Sequence, residues 1–260
     1  MTESVYRSGS GEPMVLIHLG ANPWHKWEPV LPQLTDRFDV LAPTLPGWAG
    51  GPTLSAPASL PVFVDAVEAA MDRAGFDTAH LVGNSMGGWI AFELARRGRA
   101  RSVIAFSPAG GWNERGRRRL KRFFVWNKRL SAATRPVVPL ALRIPLVRRI
   151  MFRLIIERGD QVTARQAVDL TRDTMQADWR RIVPVIDDDT VAEYPDLGVP
   201  ALVAWSERDR FTPLRPDGDT WLAAAPHAEF RILPDVGHLP MFDNPTMVAD
   251  TILEHASTAS

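Results

Sequence analysis

The stretch Leu81–Ile90, "LVGNSMGGWI", sets one serine between glycines, with an apolar run before it and an amphipathic run after it. The run from Ala79 predicts a strand that ends at Asn84, and the residues from Met86 predict a helix. Glycines two positions either side of Ser85 predict a sharp turn, because larger side chains there would collide. Such a turn exposes the serine hydroxyl and directs the helix N-terminus to the same point. The alternative interpretation is a Gly-rich packing turn with a helix-capping serine.

Short apolar runs alternate with amphipathic segments along most of the chain. Besides the run at Ala79, such runs begin at Met14, Phe38, Arg101, Ala201 and Glu229. They are apolar nearly throughout, which indicates a mostly parallel sheet covered on both faces. The clearest helix pattern lies between them, with Ser59 placed to cap its start and Gly75 placed to cap its end. Strand and helix alternating in this way predict an α/β fold with a doubly wound, mostly parallel sheet.

Residues 112–190 interrupt this alternation, because they contain helical patterns and no convincing strand. They carry 18 Lys+Arg against 9 Asp+Glu, whereas the rest of the chain carries 12 against 21. We therefore predict a basic helical insertion on an acidic core made of residues 1–111 and 191–260.

The overall composition excludes several classes of function. The net charge is zero, so nothing global favours nucleic acid or an anionic membrane, and the absence of cysteine excludes disulfides and a cysteine nucleophile. No cluster has the spacing of metal ligands, and we expect no metal or cofactor. The apolar stretch from Pro136 is broken by prolines and arginines, so it is a poor membrane span. We predict a cytoplasmic protein with no nucleic-acid partner, as a monomer or homodimer.

A serine becomes a nucleophile only when a base takes its proton and an acid orients that base. His238, in "DVGHLPMFDNP", follows the strand that begins at Glu229, and "ALVAWSERDRFTP" offers Glu207 and Asp209. The order of Ser85, acid and His238 is the one that a strand-to-helix serine turn requires. The other histidines read as structural residues at strand ends (His18, His80) or as surface and turn residues (His25, His227, His255).

Five stretches in this order resemble the α/β-hydrolase superfamily: "YRSGSGEPMVLIHLG", "FDVLAPTLPGWAGG", "LVGNSMGG", "WSERDRFTP" and "VGHLPMFDNP". The resemblance covers nearly the whole chain outside the insertion. It implies Ser85 as nucleophile, His238 as base and Asp209, in preference to Glu207, as the orienting acid. It also implies that residues 112–190 form a helical cap, or lid, over the active site, and that no cofactor takes part.

The oxyanion loop departs from the pattern of the family. Where the family usually has His-Gly, this chain reads His18-Leu19-Gly20, so a leucine stands where a small residue is expected. Alignment on His18 places Gly20 at the donor position. We therefore assign the oxyanion hole to the backbone N–H groups of Gly20 and Met86.

The predicted reaction is hydrolysis of an ester-type bond (carboxylic ester, thioester or lactone) in a small hydrophobic substrate, with Trp112, Trp126 and Leu239 as substrate contacts. Three alternatives stay open. Asn84 and "DRFTPL" also resemble carbon–carbon bond hydrolases of the meta-cleavage type, although those usually carry an aromatic residue where Leu239 stands. A cofactor-free perhydrolase or haloperoxidase would use the same triad. A non-catalytic ligand-binding protein would keep the fold alone. The basic run from Arg115 could bind an anion or form a solvated helix face.

Overall fold

A seven-stranded sheet forms the centre of the protein in the computed structural model, with the strand order β1-β3-β2-β4-β5-β6-β7. The strands are β1 Val5–Ser8, β2 Glu12–Ile17, β3 Phe38–Pro43, β4 Ala79–Asn84, β5 Ala100–Phe106, β6 Ala201–Ser206 and β7 Glu229–Leu233. Strand β1 pairs antiparallel with β3, and all other neighbours are parallel. The structure describes residues 4–20, 23–54, 57–123, 137–176, 183–188 and 190–259.

Helices cover both faces of this sheet. Outside the insertion they are α1 Leu31–Thr35, α2 Leu60–Ala74, α3 Met86–Arg96, α9 Asp219–Ala224, α10 Pro240–Asp243 and α11 Pro245–Ala256. Neighbouring residues of β2 point to opposite faces: Val15 packs with α2 and α3, whereas Leu16 packs with α1 and α11. Both faces of the sheet are therefore buried, which confirms the doubly wound fold.

The six predicted strands are confirmed, and β1 is the strand that the pattern did not predict. Its residues are mostly exposed, so the apolar run that marks a buried strand is missing. The predicted end of α2 is also confirmed, since Gly75 has φ 78° and donates to Asp72 O. The predicted capping by the Ser59 side chain is wrong. Ser59 lies at the N-cap position, but its hydroxyl makes no capping hydrogen bond.

The part of residues 112–190 that the structure describes is helical and contains no strand. We call residues 112–190 the helical insertion, which connects β5 to β6. Its helices are α4 (114–123), α5 Val138–Ala141, α6 Pro145–Phe152, α7 Ala164–Gln176 and α8 Pro184–Asp188. Leu142, Phe152 and Ile156 anchor it in the same apolar cluster as Leu16. Among the described residues, no helix has the length and apolar character needed to cross a membrane.

Candidate active site

Ser85 lies at the turn between β4 and α3 in a strained conformation, with φ 56° and ψ −118°. A Cβ atom on Gly83 would lie 2.0 Å from Gly87 O, and one on Gly87 would lie 2.1 Å from Ile17 O. No side chain fits at either glycine, so the collision predicted from the sequence is confirmed. A non-glycine residue held in such a conformation costs about 1–3 kcal/mol, and it persists only where its surroundings enforce it.

The backbone of Ser85 is held on both sides. Its N–H donates to Phe106 O at 2.9 Å, and its carbonyl accepts from Gly88 N, Trp89 N and Ala109 N at 3.0–3.2 Å. These bonds join the turn to β5 and to the first turn of α3. They supply the external support that the strained backbone needs.

His238 and Asp209 meet at the carboxyl end of the sheet, although 29 residues separate them in the chain. His238 Nδ1 lies 2.7 Å from Asp209 Oδ2, and both side chains are fully buried. The carboxylate also accepts from Phe211 N at 2.9 Å, Thr212 N at 2.8 Å and Thr212 Oγ1 at 3.0 Å. Four donors thus fix the orientation of Asp209 before any substrate binds.

Glu207, the other acid offered by the same loop, lies elsewhere. Its side chain is exposed, and Oε2 accepts from Asp235 N at 3.0 Å. The structure therefore brings Asp209, and not Glu207, to His238.

Asn84 connects the serine turn to the histidine loop, and we did not predict this contact. Its Nδ2 donates to Phe106 O at 3.0 Å and to His238 O at 3.1 Å. The signal in the sequence was a polar side chain at the end of a strand predicted to be buried, where burial demands hydrogen-bond partners. Thr212, which donates to Asp209, was also missed.

The second ring nitrogen of His238, Nε2, is not bonded to Asp209. Nε2 is buried and has no hydrogen-bond partner among the described residues. The Phe211 ring packs 4.9 Å from the imidazole ring. With Nδ1 bonded to Asp209, Nε2 is the ring nitrogen that remains free to exchange a proton.

The loop after β2 brings Gly20 alongside Met86. A Cβ atom on Gly20 would lie 3.9 Å from the Met86 side chain. His18 pins this loop, since Nδ1 donates to Leu19 O at 2.6 Å and Nε2 accepts from Leu45 N at 2.9 Å. Burial lowers the pKa of His18 to about 3, so the ring is neutral in both roles. The joint donor role of Gly20 and Met86 stays a prediction, because residues 21–22 lie outside the described chain.

Comparison with known proteins identifies the family of this chain. Residues 14–251 match the model of the Alpha/beta hydrolase family. The chain belongs to the alpha/beta hydrolase family. It is 33% identical over 196 residues to epoxide hydrolase EphH of Mycobacterium tuberculosis, covering 74% of this chain and 92% of that protein.

Other alpha/beta hydrolases extend the range of similar proteins. The chain is 25% identical to the 2-hydroxy-6-oxo-6-phenylhexa-2,4-dienoate hydrolase of Burkholderia cepacia, over 91% of this chain and 85% of that protein. Among solved structures, a thermophilic esterase from Thermogutta terrifontis superposes with a TM-score of 0.75 and 21% identity, covering 98% and 93% of the two chains. The match to the esterase structure shows the shared fold alone.

The predicted substrate contacts of this alpha/beta hydrolase occupy different environments. Trp112 is half-buried, with its ring edge-to-face 6.2 Å from that of Trp89. Leu239 is fully buried in the apolar cluster, and its N–H donates to Ile155 O of the insertion at 2.8 Å. Trp126 lies outside the described residues. A substrate-binding role for these three residues stays a prediction.

The remaining histidines divide differently from the prediction. His80 bonds Ser102 Oγ at 2.9 Å and His18 holds its loop, as their structural assignment required. The surface assignment of His255 is wrong, because the ring is only 5% exposed on the inner face of α11. His25 is half-buried, with Nδ1 3.7 Å from the Asp173 carboxylate of the insertion. Among the described residues, no group of three or more acids and histidines could hold a metal ion.

Proposed function

We propose that this alpha/beta hydrolase cleaves an ester-type bond, in a carboxylic ester, thioester or lactone, through an acyl-enzyme formed on Ser85. The observation that carries the proposal is the Nδ1–Oδ2 contact of 2.7 Å between His238 and Asp209, at the same sheet edge as a strained serine. Strain of this kind is maintained at the cost of stability, which favours a reactive role over simple packing.

Each residue has a defined task in this mechanism. Ser85 Oγ attacks the carbonyl carbon while His238 Nε2 accepts its proton and Asp209 keeps the Nδ1–H oriented. The N–H groups of Gly20 and Met86 stabilise the oxyanion, helped by the positive end of α3. His238 then protonates the leaving group. A water molecule, deprotonated by the same nitrogen, attacks the acyl-enzyme and releases Ser85.

The helical insertion, residues 112–190, forms the cap in this proposal, and the core comprises residues 1–111 and 191–260. The connection supports it: Leu239, directly after the histidine, donates its N–H to Ile155 of the insertion. Trp112, Trp126 and Leu239 remain our candidates for contacts to a hydrophobic substrate.

The chemistry of Ser85 argues against epoxide opening by a covalent route, although one relative is named an epoxide hydrolase. Attack of a serine hydroxyl on an epoxide carbon would produce an ether, which has no carbonyl for water to attack. A carboxylate nucleophile would instead produce an ester that water can hydrolyse. A serine at this turn therefore fits a carbonyl substrate.

Hydrolysis of a carbon–carbon bond next to a ketone is the second candidate. It is favoured by the similarity to the dienoate hydrolase over 91% of this chain. Leu239 stands where such enzymes usually carry an aromatic residue. This difference places ester hydrolysis first, although Asn84 is a feature that such enzymes share.

A fluorophosphonate probe tests the assignment of Ser85. We expect labelling of the wild-type protein and of Ser107→Ala, and none of Ser85→Ala. Ser107 is the matched control because it also directly follows a strand and has a positive φ (41°). Equal labelling of Ser85→Ala would exclude Ser85 as the nucleophile.

A substrate panel then separates the two reactions. Aryl esters with short and long acyl chains are compared with a dienol keto-acid. Turnover of the esters alone supports the first candidate, whereas turnover of the keto-acid alone supports the second.

A further inference from the structure

The helical insertion exposes a concentrated apolar surface. Nine large apolar side chains are exposed in the described chain, and six of them lie within residues 137–151. Their exposed fractions range from 44% to 67%. We call these six residues the apolar surface: Val137, Leu140, Ile144, Leu146, Ile150 and Met151. Exposed apolar side chains concentrated in one segment indicate an interaction site, whereas single ones are ordinary.

Helix α6 departs at several positions from the usual orientation of an amphipathic helix. Arg148 and Phe152, one turn apart, are buried, whereas Leu146 and Ile150, also one turn apart, are exposed. A helix on a water-exposed surface normally turns its apolar stripe inward and its charges outward. Here an arginine faces the protein, and a leucine and an isoleucine face out.

The contacts of Arg148 explain this orientation. Its guanidinium donates to Leu142 O at 2.8 Å, Arg143 O at 3.0 Å and Asp160 O at 3.2 Å. Turning α6 to bury Leu146 would break these three charge-assisted bonds and remove Phe152 from the apolar cluster. The exposure of the apolar surface is thus built into the packing of the insertion.

Arginines alternate in the sequence with the residues of the apolar surface. Residues 137–153 contain four arginines and no aspartate or glutamate. Arg143, Arg149 and Arg153 are exposed, and none of them has an ion pair with a described carboxylate. Apolar side chains interleaved with unpaired guanidinium groups match the boundary between the phosphates and acyl chains of an anionic lipid layer.

We propose that the apolar surface docks this protein on an anionic lipid bilayer, with Leu146 and Ile150 entering the acyl boundary and Arg143 and Arg149 binding lipid phosphates. A second copy of the chain fits less well. A two-fold symmetric contact through the same surface would bring like-charged arginines of the two copies together. The binding is peripheral and does not depend on the proposed reaction.

Vesicle flotation tests the docking. One set of vesicles is phosphatidylcholine containing phosphatidylglycerol, and the other is phosphatidylcholine alone. The wild-type protein is expected to float with the first set and more weakly with the second.

Leu146→Asp/Ile150→Asp should abolish flotation. Arg143→Gln/Arg149→Gln should weaken binding to the anionic vesicles by about thirty-fold, from the contribution of each arginine near such a surface. Leu222→Asp is the matched control, because Leu222 is 45% exposed but lies in α9 of the core; it should float as the wild type does.

Wild-type protein that stays with neither set of vesicles, or a Leu146→Asp/Ile150→Asp variant that floats like the wild type, would overturn the proposal. So would a wild-type dimer in sedimentation velocity that this variant dissociates while no flotation occurs, since a second copy would then be the occupant. Unfolding midpoints confirm that the exposed substitutions leave the fold intact. Fluorophosphonate labelling of the variant reports Ser85 separately, so loss of docking is distinguishable from failure of the proposed reaction.

Discussion

The core and residues 137–153 of the helical insertion use their arginines differently. Elsewhere in the insertion, Arg118, Arg165 and Arg172 pair with carboxylates. Nine of the eleven core arginines form ion pairs with carboxylates. Within residues 137–153, the Arg148 guanidinium donates to backbone carbonyl groups. The side chains of Arg143, Arg149 and Arg153 make no ion pair with a described residue. Paired surface charges contribute little stability. The carboxylates neutralise the charges of these core arginines, so they attract an external anion only weakly. Arg143, Arg149 and Arg153, which lack an ion pair among the described residues, are available to an external anion.

The same contrast applies to buried groups. Asp209 accepts four hydrogen bonds within the core, so its geometry is settled before substrate binds. Where the core meets the insertion, Lys26 is 1% exposed and its ammonium has no hydrogen-bond partner among the described residues. We therefore expect substitutions in the core site to act on the chemistry, and substitutions at the insertion to act on stability and binding.

The largest expected effect comes from substitution of Ser85, which should change the chemistry without lowering the stability. Ser85→Ala should lower kcat on an aryl ester by about 10⁶-fold. The free energy of urea unfolding of Ser85→Ala should not be lower than that of the wild type. The free energy of unfolding of Ser85→Gly should be higher than that of the wild type by about 1 kcal/mol or more, because glycine relieves the strain at φ 56°. A destabilised Ser85→Gly variant would show that the turn is not strained.

Asp209→Asn should lower kcat by about 10⁴-fold, because an amide cannot hold the His238 tautomer that leaves Nε2 as the base. Glu207→Gln is the matched control from the same loop and should leave kcat unchanged, since Glu207 contacts Asp235 on the surface. Steady-state kinetics of both variants on the same ester measures the two kcat values and shows which acid acts on His238. Equal losses in the two variants would contradict the assignment of the acid.

Asn84→Ala should lower kcat by about 10²-fold and change KM little. The substitution removes the bond of 3.1 Å to His238 O, and misplacement of a catalytic group by about 1 Å has an effect of this size. Stopped-flow measurement of acylation locates the loss in the chemical step. An unchanged acylation rate would show that the histidine loop is held without Asn84.

The smallest expected effect lies at the insertion, in Asp173 of α7. Burial raises the pKa of Asp173 to about 6, so the folded protein holds this proton more tightly than the unfolded chain. Wild-type stability should therefore fall as the pH rises from about 4 to about 6, by about 1–3 kcal/mol relative to Asp173→Asn. Urea unfolding across this pH range measures the difference. Asp160→Asn, at an exposed position of the insertion, should follow the wild type.

Much of the core was predictable because its signals are local. Six of the seven strands were identified from apolar runs, and the seventh, β1, was missed because its side chains are mostly exposed. The bond from Asn84 to His238 was not predictable, since these residues are 154 positions apart and no local pattern relates them. The helical spacing of Val248, Ile252 and His255 was the available sign that His255 faces inward on α11.

The amino-acid sequence by itself determined the serine turn. Gly83 and Gly87 are required by contacts within a few residues or with the adjacent strand, and steric exclusion of this kind can be read from residue type. Only the tertiary structure decided which side of α6 faces out. Helical periodicity shows that Leu146 and Ile150 share a face, but not that this face meets solvent. That outcome depends on the apolar cluster of the core, which receives Phe152, and on Asp160 O beyond the end of α6, which helps to hold Arg148 inward.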